Sequence, residues 1–302
     1  MLLVTLLCNC MMIEIFSQGV DSTHQRFESI SPSAYALLKL KAHTSIPFAK
    51  ETASYFSHES FAGNEGKTDV RKLIHFENRY RTVDKMLARF SSSNILEFSS
   101  GYSFRGLALC RDSAIYFIDT DLPDVIARKK GIMSGILRQH NLSLQGKLEL
   151  LPLNVFDVVA FISVTDRFPE GPVTLVNEGL LPYFNDEEKR SLCRSIHEVL
   201  TKRGGYWITA DIYIKDKTDS KDSGMIESSF RREHHLDENR FESYPAAEAF
   251  FKDCGFEVVA RETIAEDKLS SLALLSEEKR KRFIRKMKAG QSVRQTWCLR
   301  VK

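Results

Sequence analysis

Hydrophobic and polar positions follow two different rhythms along this chain. Up to about residue 90, apolar residues recur at helical spacing, first in a segment that begins at Ser31-Pro32 and then over residues 69–90. From residue 93 onward, short apolar runs alternate with longer amphipathic segments, which is typical of a parallel sheet covered by helices on both faces. The pattern predicts a helical cap over residues 27–90 and an α/β core over residues 91–302.

The second rhythm predicts seven strands, of which the last two flank an inserted helical segment at 267–289 and pair as a long-range antiparallel hairpin. The fold class that follows is a Rossmann-like, doubly wound, mostly parallel seven-stranded sheet with a helical N-terminal cap. The polar stretch 215–243 is too long for a plain connection and is predicted to be a lid-like loop. The strands are predicted at 95–98, 114–119, 148–155, 173–177, 206–212, 256–264 and 295–301.

Charge and cysteine content exclude several kinds of partner. The 302 residues carry a formal net charge of only +3, with both signs interspersed, so no nucleic-acid partner is predicted. The six cysteines form no Cys-x-x-Cys pair and no Cys/His cluster with zinc spacing. They therefore predict reduced thiols, no metal site and a cytoplasmic protein.

Residues 1–26 are set apart as an extension of uncertain role. Met1 to Cys8 is apolar, but it has no basic region and no small-residue cleavage site, and it is too short to span a bilayer. No membrane span is therefore predicted. Two alternatives stay open for this segment: translation that starts at Met11 or Met12, or export with a lipid anchor at Cys8.

A turn of small residues, Ser99-Ser100-Gly101, follows the first predicted strand. Small residues let a backbone approach a ligand closely, and this position in a parallel sheet commonly holds a nucleotide-like cofactor. Phe104 stands where a dinucleotide fingerprint has its third glycine, which leaves little room for a pyrophosphate. The alternative is a strand-to-helix turn without a ligand.

Acidic residues close the first two strands. Glu97 ends strand one, where a carboxylate can hold an ammonium group directly or through water. Asp119 and Asp121 come about 20 residues beyond the turn, where an acid accepts hydrogen bonds from ribose hydroxyls. The alternative for Asp121 is a cap on the helix that begins at Pro123, and one residue can serve both purposes.

Three further positions carry candidate chemistry. Asn154 follows strand three, where it either reaches an adenine edge or caps a helix. Glu178 and Tyr183 follow strand four and face the same crevice as the turn, the alternative for Glu178 being a solvated loop acid. Arg79 either forms a helical ion pair with Asp84 or clamps a carboxylate of a cofactor or substrate.

Several of these segments resemble a known family in order and in residue type. The chain is similar to class I S-adenosylmethionine-dependent methyltransferases, and more narrowly to the leucine carboxyl methyltransferase and polyketide O-methyltransferase group. The more specific pieces are Asp121-Leu122-Pro123 and Glu178-Gly179-Leu180-Leu181 with Tyr183. The other matching pieces are Ser31–Ala34, Arg79–Asp84, Glu97–Gly106, Asp124–Ile126 with Lys129, Leu153–Asp157 and Phe184.

The resemblance implies S-adenosyl-L-methionine as the cofactor and assigns roles to individual residues. Two positions depart from the family: Ser99 stands where many methyltransferases have glycine, and Pro182 where the group often has methionine. By this resemblance the methionine end lies at Ser99 to Gly101, and its carboxylate faces Arg79, with Arg81 and Arg105 as neighbours. Asp121, or else Asp119, holds the ribose, Asn154 and Val155 border the adenine, and Glu178 lies near the amino group and the substrate opening.

The activity implied is O-methylation of a carboxylate or hydroxyl on a small molecule or peptide. A carboxylate acceptor is ionised at pH 7 and needs no base, whereas a hydroxyl is helped by one. His234 and His235, the paired histidines of the lid-like stretch, are candidates for that base, or else they are solvated loop residues. The alternatives to an enzyme of this class are a non-catalytic methyltransferase-like binding module and a nicotinamide-dependent oxidoreductase.

Overall fold

A computed structural model describes residues 31–57, 69–215 and 228–302. The predicted N-terminal extension, residues 1–26, lies outside these ranges, as do 27–30 and 58–68 of the predicted cap and 216–227 of the predicted lid-like loop. No helix within the described ranges is long and apolar enough to cross a membrane.

A seven-stranded sheet forms the centre of the molecule, with the order β3-β2-β1-β4-β5-β7-β6. Strands β1 to β5 pair in parallel, and β7 lies antiparallel between β5 and β6. The doubly wound fold class and the β6–β7 hairpin predicted from the sequence are thereby confirmed. The strands are β1 Asn94–Phe98, β2 Tyr116–Asp121, β3 Lys147–Pro152, β4 Val173–Asn177, β5 Gly205–Tyr213, β6 Phe256–Glu262 and β7 Arg294–Val301.

The helices begin and end largely where their caps predict. Asp69 accepts a hydrogen bond from the Arg71 N–H at the start of α3. Asn185 and Glu188 form a reciprocal capping box at the start of α7, and Gly204 is the C-cap of that helix. Within the described residues the helices are α1 Ser31–Lys41, α2 Ala49–Ser54, α3 Val70–Phe90, α4 Arg105–Leu109, α5 Pro123–Gln139, α6 Val158–Thr165, α7 Asp186–Arg203, α8 Ser228–Glu233, α9 Tyr244–Asp253 and α10 Glu277–Lys288.

Apolar side chains cover both faces of the sheet. Because side chains alternate along a strand, Ile95 lies on the α3 face, whereas Leu96 and Phe98 lie on the α7 face. Glu97 shares the face of Ile95 and is buried there. The α3 face is filled by Val83, Met86, Leu87, Phe117, Val176 and Ile208, and the α7 face by Phe161, Leu192, Ile196, Val199 and Trp207.

Strands β2, β3 and β6 end at least two residues away from their predicted ends, β6 at Glu262 rather than at residue 264. Strand β2 begins and ends two residues later than predicted, because the Ala114 N–H is held in a turn by Asp112 and pairing with β1 starts at Tyr116. Asp121 is therefore the last residue of β2, and Asp119 lies inside it. Strand β3 ends at Pro152 rather than at residue 155, so Asn154 lies in the following loop.

The described part of the predicted cap packs against the loop that follows β1. Tyr35 and Leu38 of α1 pack with Phe56 and with Phe104, the bulky residue that replaces a fingerprint glycine. Helix α5 contributes Ile132 and Ile136 to the same cluster. These contacts bring α1 against the loop that follows β1. The domain boundaries at residues 27, 90 and 91 stay predictions.

Candidate active site

A cavity opens at the carboxyl ends of β1, β2 and β4, beside α1. Its empty volume, including the open mouth, is ≈ 1040 Å³. Since β1 lies between β2 and β4, the cavity occupies the point where the strand order reverses, the usual ligand site of doubly wound sheets. This main cavity is lined by Leu37 and Lys41 of α1, by Arg79, and by residues within 99–103, 121–122, 153–156, 178–180 and 183–184.

The turn after β1 has a left-handed backbone at two positions. Gly101 has φ 54°, and Ser99 has φ 53°, although it carries a side chain. A residue with a Cβ adopts this conformation at a cost of roughly 1–2 kcal/mol, which glycine avoids. A glycine at the position of Ser99 would adopt this left-handed backbone without that cost.

Asp121 lies on the cavity wall and holds the turn in place. Its Oδ2 accepts a hydrogen bond of 2.6 Å from the Gly101 N–H, and its Oδ1 accepts one of 2.7 Å from the Leu122 N–H. Burial raises the pKa of Asp121, and the two N–H donors oppose that shift. The prediction of a helix cap is wrong, because α5 is capped at Leu122 without a side-chain bond.

Asp119, the other ribose candidate, does not line the main cavity. Its carboxylate is almost fully buried and accepts hydrogen bonds from Lys129, at 2.7 Å, and from the Ser100 hydroxyl. The two-residue shift of β2 is the reason, since it places Asp119 within the sheet. Asp119 therefore supports the turn from below.

Glu178 is surrounded by three cations at the end of β4. Its carboxylate lies 2.7 Å from Lys41 Nζ, 3.2 Å from Arg79 Nε and 2.9 Å from Arg105 Nη2. Although burial opposes ionisation, these cations lower the pKa of Glu178 to about 2. The predicted solvated loop acid is wrong for Glu178, because its side chain is only 5% exposed.

Arg79 forms no ion pair with Asp84, so that prediction is wrong. Asp84 instead pairs with Arg81, at 3.2 Å, and with Arg105. Arg79 lies between Glu178 and the hydroxyl of Tyr213. Burial works against its charge, but Tyr213 and Glu178 outweigh burial, so the pKa of Arg79 is raised.

Arg105 lies beneath the cavity rather than on its wall. Its side chain is 1% exposed, it donates to Glu97 Oε1 at 3.1 Å, and its guanidinium stacks 3.8 Å from the ring centre of Tyr80. Glu97 is equally buried, and its Oε2 has no hydrogen-bond partner among the described residues. Burial raises the pKa of Glu97, with Arg105 opposing the shift.

The loop after β3 forms the remaining wall of the main cavity. Asn154 and Val155 both line it. Asn154 Oδ1 accepts a hydrogen bond of 3.0 Å from the Phe156 N–H. The helix cap predicted as the alternative belongs to Asp157, which accepts from the Ala160 N–H.

Asp211 and Lys41 are functional residues that the sequence analysis missed. Asp211 is buried in β5 and accepts hydrogen bonds from the N–H groups of Gly179, Leu180 and Leu181, the first two at 2.7 Å. It therefore fixes the segment that carries Glu178. An acid within the apolar run 207–213 was the available signal for Asp211, whereas nothing in the sequence of α1 distinguishes Lys41 from Lys39.

A second chamber of ≈ 620 Å³ empty volume adjoins the main cavity. The two spaces share Leu37, Arg79, Gly179 and Tyr183, which form the junction between them. The remaining residues of the second chamber are His75, Phe76, Pro182, Tyr213, Arg231, Leu236 and Arg240.

Of the predicted catalytic residues, Glu178 and Tyr183 line the main cavity and the histidines line neither space. His234 is buried, with its ring centre 6.0 Å from that of Tyr183. His235 is exposed, has φ 51° and contacts Glu238. The prediction of a solvated residue is therefore right for His235 and wrong for His234. Within the described residues, no group of three or more His, Cys, Asp or Glu is placed to hold a metal ion.

Fold and site define a doubly wound α/β protein with a ligand cavity at its switch point and an adjoining chamber. No family model matches the chain, and no curated protein matches it. Among solved structures, it is similar to the mitomycin 7-O-methyltransferase MmcR, at 12% identity over 85% of this chain and 69% of that one, with a TM-score of 0.46.

Two further similar structures contain S-adenosylmethionine. One is LepI in complex with it, at 12% identity over 73% of this chain and 46% of that one, with a TM-score of 0.42. The other is NcsB1, an O-methyltransferase of neocarzinostatin biosynthesis, at 12% identity over 70% of this chain and 49% of that one, with a TM-score of 0.41. The chain spans about half the length of these two proteins.

Proposed function

We propose that this protein is an S-adenosyl-L-methionine-dependent methyltransferase of the leucine carboxyl methyltransferase and polyketide O-methyltransferase group. It transfers a methyl group to an oxygen of a small molecule or peptide in the cytoplasm. The observation that carries the proposal is the wall of the main cavity. This wall combines the acid Asp121, the left-handed turn at Ser99 to Gly101 and the charged cluster around Glu178.

The residues present fit the charges of this cofactor, which carries a ribose, a carboxylate and an ammonium group. Asp121 supplies acceptors for ribose hydroxyls, Arg79 and Lys41 supply cations for the carboxylate, and Glu178 supplies an anion for the ammonium. The unpartnered Oε2 of Glu97, two residues before Ser99, is a further acceptor for that ammonium through water. Asn154 and Val155 border the adenine.

The cofactor supplies a methyl group that is already activated as a sulfonium. The chain's own part is to align the acceptor and exclude water. Tyr183 and Gly179 line both spaces, so the acceptor oxygen meets the methyl group at their junction. Because the pKa of Glu178 is about 2, this carboxylate stays ionised near neutral pH and keeps the cluster in one arrangement.

Isothermal titration with S-adenosylhomocysteine tests the proposal. We expect the protein to bind it, and Asp121→Ala to weaken binding by about 1–3 kcal/mol through lost hydrogen bonds to the ribose. Asp124→Ala, an exposed acid three residues on, is the matched control and should leave the affinity unchanged. Circular dichroism confirms that each variant is folded. Absence of binding by the folded wild-type protein, or binding of NAD in its place, would overturn the proposal.

A further inference from the structure

The second chamber contains a hydrogen-bonded pair of residues, neither of which has a role assigned in the proposed cofactor site. His75 Nε2 of α3 lies 2.9 Å from the Tyr213 hydroxyl at the end of β5, and both side chains line the chamber. Neither residue lines the main cavity. The pair therefore faces whatever occupies the chamber beyond the junction at Arg79, Gly179 and Tyr183.

Among the described residues, the chamber wall carries three arginines and no carboxylate. Arg79 is paired with Glu178, and Arg231 and Arg240 both contact the carboxylate of Asp237, Arg240 at 3.4 Å. Asp237 is 53% exposed and lies outside the lining, so water screens its charge. The guanidinium of Arg240 lies 5.6 Å from the ring centre of Tyr213. The guanidinium of Arg240 therefore borders the chamber, whereas the carboxylate that it contacts lies outside the lining.

The surroundings of His75 keep it neutral. Burial, followed by the positive charges of Arg294, Arg79 and Arg240, holds the pKa of His75 well below its ordinary value, and Glu178 opposes them only weakly. With its proton on Nε2, a neutral imidazole donates to Tyr213 Oη, and the tyrosine hydroxyl is then free to donate into the chamber. A tyrosine hydroxyl that donates a hydrogen bond beside arginine side chains is suited to bind an anionic oxygen.

The rest of the lining is apolar. Phe76 and Leu236 lie on one part of the wall, and Leu37 and Tyr183 lie at the junction. An occupant that matches this surface has an apolar or aromatic body and an anionic end. Its reacting oxygen lies at the junction, where the methyl group is delivered, so its anionic end lies within the second chamber.

We infer that the second chamber selects acceptors that carry an anionic group, such as a carboxylate, separate from the oxygen that is methylated, and that Tyr213 and Arg240 bind this group. The inference rests on the proposed function for the identity of the reaction. The binding of the anion itself does not depend on the proposed function. His75 is a positioning residue in this arrangement, because it orients the hydroxyl of Tyr213.

Titration with small acids and their amides tests the inference. Benzoate and phenylacetate are the probes, and benzamide and phenylacetamide are the uncharged counterparts, each measured with and without saturating S-adenosylhomocysteine. We expect the acids to bind at least about tenfold more tightly than the amides, as one charge-assisted hydrogen bond provides. Equal affinity of acids and amides, or no binding of either acid, would overturn the inference.

Three variants locate the binding site of the acids. Arg240→Gln and Tyr213→Phe should each weaken benzoate binding about tenfold, and Arg240→Gln should leave S-adenosylhomocysteine binding unchanged. Arg232→Gln, an exposed arginine on α8, is the control and should change neither. Benzoate affinity that is unaltered in Arg240→Gln would place the anion elsewhere and contradict the inference. Failure to bind S-adenosylhomocysteine contradicts only the proposed function, because the benzoate titration of the free protein is read independently.

Discussion

The loops that follow β1 and β4 both border the main cavity, and they are held in different ways. At the end of β1, the turn is held by local backbone geometry and by one acid from the neighbouring strand, Asp121. At the end of β4, the loop is held by Asp211 from β5 and by cations from three separate helices. The first arrangement depends on conformation, and the second depends on charges brought together from distant parts of the chain.

This difference predicts where the protein is most sensitive to substitution. Loss of a buried acid leaves several groups without partners in a medium of low dielectric constant, whereas a change at the turn alters only the strain of one residue. The end of β4 should therefore respond with larger changes in stability than the end of β1.

Asp211→Ala should have the largest effect. It leaves the N–H groups of Gly179, Leu180 and Leu181 without their acceptor, so we expect the free energy of unfolding to fall by about 3–5 kcal/mol in urea titration. Asp166→Ala, which removes the exposed ion pair with Lys202, is the control and should cost less than about 1 kcal/mol. Similar losses in the two variants would show that Asp211 does not anchor the loop.

Glu178→Gln should give a smaller loss that depends on pH. The pKa of Glu178 is about 2 in the folded protein, against an ordinary value of 4.5, so the unfolded chain binds this proton at higher pH than the folded chain. The contribution to stability is therefore complete above about pH 4.5 and is lost as the pH falls towards 2. The shift corresponds to about 3 kcal/mol at pH 7.

Urea unfolding of the wild type and of Glu178→Gln at pH 7, 5, 4 and 3 measures this contribution. The difference between the two proteins should shrink as the pH falls. Glu187→Gln, an exposed acid in the first turn of α7, is the matched control and should show no such trend. A difference that stays constant from pH 7 to 3 would contradict the role of the three cations.

Ser99→Gly should have the smallest effect, and in the opposite direction. It removes the cost of a side chain at φ 53°, so we expect stabilisation by up to about 1 kcal/mol in thermal unfolding, partly offset by the greater freedom of the unfolded chain. Ser103→Gly, in the same loop without a positive φ, is the control and should destabilise slightly. If both variants destabilise equally, the turn at Ser99 is not strained.

The sequence was sufficient to predict the fold and the cavity residues near the ends of β1 and β2. Hydrophobic periodicity located all seven strands, because a parallel sheet needs short apolar runs separated by amphipathic helices. Ser99, Gly101 and Asp121 were predicted from their positions at or just after strand ends, and all three line the main cavity. The predicted bounds of β2 were wrong, since the run of apolar residues around Ala114 and Ile115 did not reveal the turn held by Asp112.

The long-range half of the site was beyond the sequence. Lys41 and Glu178 are 137 residues apart, and Arg79 and Glu178 are 99 apart, so their contact depends on how the cap helices pack on the sheet. His234 and His235 illustrate the opposite failure. Their pairing in the sequence indicated chemistry, but the fold turns one into the interior and the other towards solvent.

The position of β7 has a consequence for the order in which the protein is completed during synthesis. Residues 294–301 insert between β5 and β6, and Arg294 pairs with Tyr213 at the end of β5. The strand that carries Asp211 and Tyr213 therefore keeps an unpaired edge until this late segment has left the ribosome. The loop that carries Glu178, which Asp211 anchors, and the second chamber, which Tyr213 lines, are therefore fixed only after β7 has paired with β5. Folding of the nascent chain should pass through a stage in which strands β1 to β5 are present but these two features are not yet fixed.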